Sequence, residues 1–279
     1  VRVRIADLSR EEHALFNELL TREFGLYFPE SKRQILHTRL EPRLRELRLP
    51  RFFDYYLRLQ YALDSERDYL VQRVTNHETY FFRETSQFES LFGSVMADLL
   101  RTAVIPGQLR LLSAGCSTGE EPYTLAIYAL QNRIRLQQAE VKVDAFDLDG
   151  LCIEQARCGH YGPRSLRSTT PERARQYFQE RTPGNFRLRE LYRRGVSFRT
   201  GNIVDESSFR GQRYDAIFCR NVLIYFAEGA LRRAIENFAR ALRPGGILFL
   251  GHSESIIGMN PLLETVRLDS CIAYRKVAP

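Results

Sequence analysis

The sequence predicts an α/β fold in two parts: a helical N-terminal domain, then a parallel-sheet domain interrupted by a small β element. Three observations predict it. Apolar residues recur at helical spacing over about the first 90 residues. From about residue 108, strand-like runs alternate with helical stretches, as in sheets whose parallel strands are joined by crossover helices. The run Leu109–Pro122, LRLLSAGCSTGEEP, passes from a strand through a small-residue turn into a helix, the opening of a βαβ unit built for a nucleotide-like ligand.

Taken in order, Ser9 with Glu12 makes a capping box ahead of HALFNELLTREFG, which ends at Gly25. In SKRQILHTRLEPRLRELRL, Ile35, Leu36, Leu40, Leu44 and Leu47 share one face, and Lys32, Arg33, Arg39, Arg43, Arg45 and Arg48 occupy much of the rest. Pro42 is expected to kink this helix or divide it. FFDYYLRLQYAL and ERDYLVQRVT supply two more amphipathic helices. Strands are then expected at Leu109–Ser113, Lys142–Phe146, Val196–Arg199, Tyr214–Cys219 and Ile247–Gly251, with helices at Pro122–Arg133, Leu151–Ala156 and Glu228–Leu242. Between Gly159 and Gly195 a helix (Pro171–Glu180), a turn (Thr182–Asn185) and the alternating FRLRELY read as an inserted β element. ETVRLDSCIAYRKV suits a closing antiparallel hairpin.

A chain of 279 residues holds one large or two modest domains. The net charge of +7 favours an acidic partner surface, whether nucleic acid, membrane or protein. No apolar run approaches a membrane span and VRVRIADLSREEH has no signal-peptide core, so a cytoplasmic protein without direct membrane insertion is expected. Five cysteines without a CxxC pair read as reduced thiols, with no metal site expected.

The chemistry begins at the turn Ser113–Gly119. A phosphate site would follow its glycine with Lys and a hydroxyl residue; here Glu120 and Glu121 follow. Such acids repel pyrophosphate and suit a cationic, hydroxyl-rich ligand such as S-adenosyl-L-methionine, although acids at a helix start also complement its dipole. Asp147 ends the second strand, where an acid accepts from ribose hydroxyls or merely caps a loop; Asp149 is the better cap for the next helix. In YDAIFCRNVLIYF a buried strand ends at Cys219, and Arg220 and Asn221 follow at the sheet's carboxyl edge. Tyr225 is either a partnered hydroxyl or a core aromatic. His252 ends the last core strand, and a lone histidine there is more often structural than a ligand. VTNHETYFFRE joins the two parts, with Arg83 either offering its planar fork to a carboxylate or solvated beside Tyr80 and Phe81.

Together HETYFFRE, SAGCSTGEEPYTLAI, FDLD, DAIFCRNVLIYF, LRPGGILFLGHSES and RLEPRLRELRL resemble the signature segments of the CheR family of chemotaxis receptor methyltransferases, in order and through nearly the whole chain. The resemblance implies a Rossmann-like S-adenosyl-L-methionine-dependent methyltransferase domain (91–279) with an inserted β-subdomain at about 160–195, a helical receptor-docking domain (1–75) and a linker (76–90) contributing to the active site. It implies methylation of glutamate carboxylates on the cytoplasmic domains of methyl-accepting chemotaxis receptors, with S-adenosyl-L-homocysteine as product. Carried over by position, cofactor contacts would be His77, Thr79, Arg83, Glu121, Asp147, Asn202, Ile203, Arg220 and Asn221; whether Asn76 or His77 is used stays open, because the family often has Asn where His77 stands. Arg83 and Tyr225 are the expected catalytic residues. Arg39, Arg43, Arg45 and Arg48 would dock the glutamate-rich receptor, unless they form a merely solvated face. A monomer with no nucleic-acid partner is expected.

An ionised glutamate needs no general base, which agrees with the lack of a clear Ser/His/Asp or Cys/His arrangement in the sequence. The rivals fare worse. A nucleic-acid amino-methylating enzyme usually shows a DPPY-like segment where this chain has RNVL, and a nicotinamide dehydrogenase would need GxGxxG. A non-enzymatic adaptor that keeps the fold is disfavoured by the intact FFRE, GEEP and RNVLIYF segments.

Overall fold

The computed structural model describes residues 5–277. The chain forms two compact units, one from the residues up to Asn76 together with Tyr225–Leu231, the other from His77–Ile224 and the residues from Arg232 onward.

The helical unit contains α1 (Arg10–Phe24), α2 (Arg33–Leu47) and α3 (Phe52–Val74). Glu12 N–H donates to the Ser9 hydroxyl and Ser9 N–H to the Glu12 carboxylate, so two otherwise orphaned donors are satisfied where α1 starts. Gly25 ends it at φ 79°, a conformation that costs glycine little. Of the expected kink or division, the division does not occur: α2 runs on as one helix through Pro42. The fully buried Leu40 and Leu44 on either side tie it into the core, which outweighs one missing N–H donor. Ile35, expected on the apolar face, is exposed. The real break lies in α3 at Ala62, whose φ −139° and ψ 33° are not helical. Phe16, Phe52, Tyr55 and Leu59 fill the core, with Phe16 and Phe52 packed edge to face. Glu66 is buried among them, and Arg43 holds it with two hydrogen bonds (2.8 and 3.0 Å) and Arg58 with one (2.8 Å). In the same unit Tyr27 N–H donates to the Tyr225 carbonyl, and Leu26 pairs with Phe226.

The second unit opens with α4 (Thr85–Ser90), a π-helical turn and α5 (Met96–Arg101). Then come β1 (Gln108–Ala114), α6 (Glu120–Gln131), β2 (Glu140–Asp147), α7 (Gly150–Cys158), β3 (His160–Tyr161), α8 (Pro171–Tyr177), β4 (Phe178–Thr182), β5 (Asn185–Leu188), α9 (Glu190–Arg193) and β6 (Val196–Thr200). It finishes with β7 (Tyr214–Cys219), α10 (Glu228–Ala241, its first turn counted with the helical unit), β8 (Leu242–Leu250), β9 (Leu263–Arg267) and β10 (Ile272–Lys276). The main sheet has the order β6-β2-β1-β7-β8-β10-β9, its first five strands parallel and β10 antiparallel to both of its neighbours, β8 and β9. Every residue of β7 is buried, as a central parallel strand requires. Phe88, Phe218 and Phe249 stack through the core. The strand order reverses between β1 and β7, so their carboxyl ends open a crevice, the place where such sheets bind ligands.

A separate three-stranded sheet, β3-β5-β4, is inserted between α7 and β6. Two expectations change here. The helix starting at Pro171 stops at Tyr177 rather than Glu180, because Phe178 pairs across to Leu188. FRLRELY is extended only to Leu188 and then turns into α9. Among the described residues no helix is long and apolar enough to cross a membrane.

Candidate active site

The turn after β1 brings three left-handed residues together: Gly115 (φ 78°), Ser117 (φ 48°) and Gly119 (φ 95°). A Cβ on Gly115 would lie 2.6 Å from a Val222 methyl, and one on Gly119 2.8 Å from the Ala156 Cβ, so both positions exclude side chains on two counts. Ser117 N–H donates to one Asp147 oxygen (2.7 Å) and Asp149 N–H to the other (3.0 Å). Asp147 is buried at the end of β2. Burial pushes its pKa above the ordinary range, against the pull of the two N–H groups.

The two acids after the turn differ in role. Glu120 accepts from the Thr118 hydroxyl at 2.7 Å and is almost wholly buried beside its own helix start. Glu121 accepts from the Ser113 hydroxyl at 2.7 Å and lies 3.6 Å from Arg220 Nε. Burial raises its pKa too, and Arg220 only partly offsets this. Arg220 donates through Nη2 to the Arg83 carbonyl (2.6 Å) and lies 3.3 Å from Glu84. Its Nε and Nη1, and the Asn221 side-chain oxygen beside it, are buried without a hydrogen-bond partner. Orphaned polar atoms of this kind are costly to bury. Asn221 itself is held at φ 60°.

Arg83 sits between two left-handed residues, Phe82 (φ 61°) and Glu84 (φ 54°). Its Nη1 donates to the Glu78 carbonyl at 2.9 Å, and its guanidinium lies 5.7 Å from the Tyr80 ring centroid. Thr79 is half-buried in the same segment. His252 is exposed, 3.5 Å from Glu84. Asn202 and Ile203 are buried after β6; Asn202 accepts the Val204 N–H, and the Ile203 carbonyl accepts from Asn237.

Asn76 and His77 part company. The Asn76 amide donates to the Tyr225 hydroxyl at 2.8 Å, both within the helical unit. His77 Nε2 lies 3.1 Å from Asp149, and its Nδ1 3.2 Å from the Cys152 sulfur. The sequence showed no Cys/His arrangement, yet this fold makes one from residues 75 apart. Burial and Asp149 push the Cys152 thiol well above its ordinary pKa, which disfavours the thiolate that a nucleophile would need. Asp149 caps α7 through Leu151 N–H (2.8 Å), and His77 and that cap N–H hold its pKa down against burial. The three ligand atoms lie within 4.8 Å of one another, a spacing a divalent ion would accept, but hydrogen bonding among them already accounts for the cluster. All five cysteines are free thiols.

The four basic residues of α2 and its end also divide. Arg39 donates to the carbonyls of Val74 and Thr75, and Arg43 is committed to Glu66 and Glu46. Arg45 is exposed, 2.5 Å from Glu41, and Arg48 is exposed at the helix end. Sequence reasoning missed one residue altogether. Glu254, four residues after β8, accepts backbone N–H groups of the loop after β7; the only hint was an acid in GHSES just past a strand end.

A family model described as CheR methyltransferase, SAM binding domain matches residues 77–272, and one described as CheR methyltransferase, all-alpha domain matches 11–75. The chain is 35% identical to Chemotaxis protein methyltransferase 2 of Vibrio cholerae, covering 94% of this chain and 91% of that protein. It is likewise 35% identical to Chemotaxis protein methyltransferase 2 of Pseudomonas aeruginosa, over 92% and 91% of the two chains. To Chemotaxis protein methyltransferase 1 of the same organism it is 32% identical, over 94% and 96%.

Proposed function

Because the chain belongs to the CheR methyltransferase family and takes S-adenosyl-L-methionine as its cofactor, we propose that it methylates glutamate side chains on the cytoplasmic domains of chemotaxis receptors, as a cytoplasmic, monomeric protein-glutamate O-methyltransferase that works without nucleic acid. The observation that carries the reading is the under-partnered polar cluster at the carboxyl ends of β1, β2 and β7. Buried Asp147 and half-buried Glu121 lie next to the tightly packed glycine turn, with Arg220 and Asn221 atoms that lack a hydrogen-bond partner after β7. Those residues fit the cofactor: acids for its ammonium and ribose hydroxyls, and no lysine of the kind a phosphate site would use. When bound, the cofactor supplies a methyl group on a sulfonium sulfur.

Each residue then has a task. Asp147, Glu121, Arg220 and Asn221 hold the cofactor, with Thr79, Asn202 and Ile203 beside them, and His77 braces the segment leading to Arg83 by gripping Asp149. A glutamate substrate with a pKa of about 4.3 is ionised at neutral pH, so alignment and water exclusion matter and a base does not. Arg83 offers its planar fork to that carboxylate. The Tyr225 hydroxyl accepts from Asn76, which leaves its proton to donate. The helical unit docks the receptor through exposed Arg45 and Arg48, while Arg39 and Arg43 stiffen the unit from within.

Incubation with methyl-labelled cofactor and receptor membranes tests the reaction. Alkali-labile label released as methanol is expected. Stable label would point to another acceptor, and no label to a non-enzymatic adaptor. Arg83→Ala should lower turnover at saturating substrate; full turnover would remove its role.

A further inference from the structure

We infer that Glu254 is a positioning residue that sets the shape of the loop after β7 by gathering five backbone N–H groups on one carboxylate. Its Oε2 accepts from Asn221 (2.8 Å) and Gly251 (2.7 Å). Its Oε1 accepts from Val222 (2.9 Å), Leu223 (2.7 Å) and, longer, Ile224 (3.4 Å). Four consecutive amides, running from the end of β7 into a short 3-10 turn at Leu223–Tyr225, converge on a single anion, as amides do in backbone nests. Hydrogen bonds to an ionised acceptor are about twice as strong as neutral ones, so the charge matters as well as the position.

Three consequences converge on the cofactor cluster. The grip on its N–H holds Asn221 at φ 60°, with its side-chain oxygen buried and unpaired and Arg220 next to it. The grip on Val222 sets the methyl that would meet a Cβ on Gly115, so the glycine turn and this loop abut. The ends of β7 and β8 are joined by one side chain, tightly enough that a Cβ on Gly251 would lie 2.8 Å from both Asn221 nitrogens and from Glu254. With both oxygens taken up by N–H groups, Glu254 acts through Asn221 and Arg220 rather than on a ligand.

This inference rests on reading Asn221 and Arg220 as cofactor contacts, and the experiment separates the two. S-adenosyl-L-homocysteine binding is measured calorimetrically for the wild type, Glu254→Gln, Asn221→Ala and the double variant. Glu254→Gln turns an NH2 toward amides that need an acceptor; its Kd should rise roughly ten-fold. The double variant should bind little worse than the weaker single one, as residues acting through one another do. In receptor methylation, the KM for the cofactor should rise while kcat at saturation stays within about two-fold, a split that general loss of folded enzyme would not produce. Wild-type binding by Glu254→Gln, with Asn221→Ala weakened, overturns the inference and leaves the cofactor reading standing. Wild-type binding by Asn221→Ala removes that reading and the inference with it. If Glu254→Gln does not fold, Gly251→Ala crowds the same amides and should raise Kd likewise; unchanged binding there also overturns the inference.

Discussion

Glu66 in the helical unit and Glu121 in the sheet unit are both acids taken out of water, and the fold treats them in opposite ways. Glu66 receives three hydrogen bonds from two guanidinium groups; burial alone would raise its pKa, but Arg43 and Arg58 hold it below the ordinary value. Glu121 has one hydroxyl and an arginine at 3.6 Å, and burial wins, so its pKa is raised; Asp147 behaves alike. A buried acid completed by its own fold is architecture. A largely buried acid left incomplete is what the proposed cofactor site would use.

The same chemical change made at both sites sharpens this contrast. Glu66→Gln leaves Arg43 and Arg58 facing a neutral amide, and breaking a buried pair from one side is expensive. Because both arginine side chains keep some exposure and can rehydrate, a loss of about 2–3 kcal/mol is expected in urea unfolding, with cofactor affinity of the folded protein unchanged. A loss below about 0.5 kcal/mol would break the comparison. Glu121→Gln should do the reverse. S-adenosyl-L-homocysteine affinity should fall about 10–50-fold, equivalent to about 1.4–2.3 kcal/mol, while the ligand-free stability moves by less than about 1 kcal/mol. An unchanged Kd would show that Glu121 is only structural.

The sequence revealed what local chemistry decides and concealed what distant contacts decide. The capping box at Ser9 and Glu12, the Asp149 cap and the strand Tyr214–Cys219 are written in neighbouring residues, and each stands where its pattern indicated. The basic face of α2 was visible, but that Arg43 turns inward depends on Glu66, 23 residues away. The end of α8 depends on Phe178 finding Leu188. Glu254 serves a loop some 30 residues earlier and has no signature beyond being an acid past a strand. The under-partnered state of Arg220 and Asn221 was least legible of all, since only completed packing shows which polar atoms are left over.

The smallest expected effect is a difference of sign with pH. Glu66 has a folded pKa below its unfolded value of about 4.5, so the folded state binds its proton less readily than the unfolded chain. The stability it contributes is therefore fully present above pH 4.5 and is lost as pH falls through the folded value. Glu121 has a folded pKa above 4.5, so the fold favours its protonated form, and stability is lost as pH rises through the folded value. Neither glutamine variant titrates there. Measured against the wild type between about pH 3 and pH 7, Glu66→Gln should look progressively worse as pH rises toward 4.5, and Glu121→Gln progressively better as pH rises above 4.5, each by at most about 1.4 kcal/mol per pH unit where one proton is exchanged. Unfolding midpoints of all three proteins across that range give the two slopes. Slopes of the same sign would mean that both acids are equally completed by their surroundings, and the distinction between architecture and site would have to rest on Arg220 and Asn221 alone.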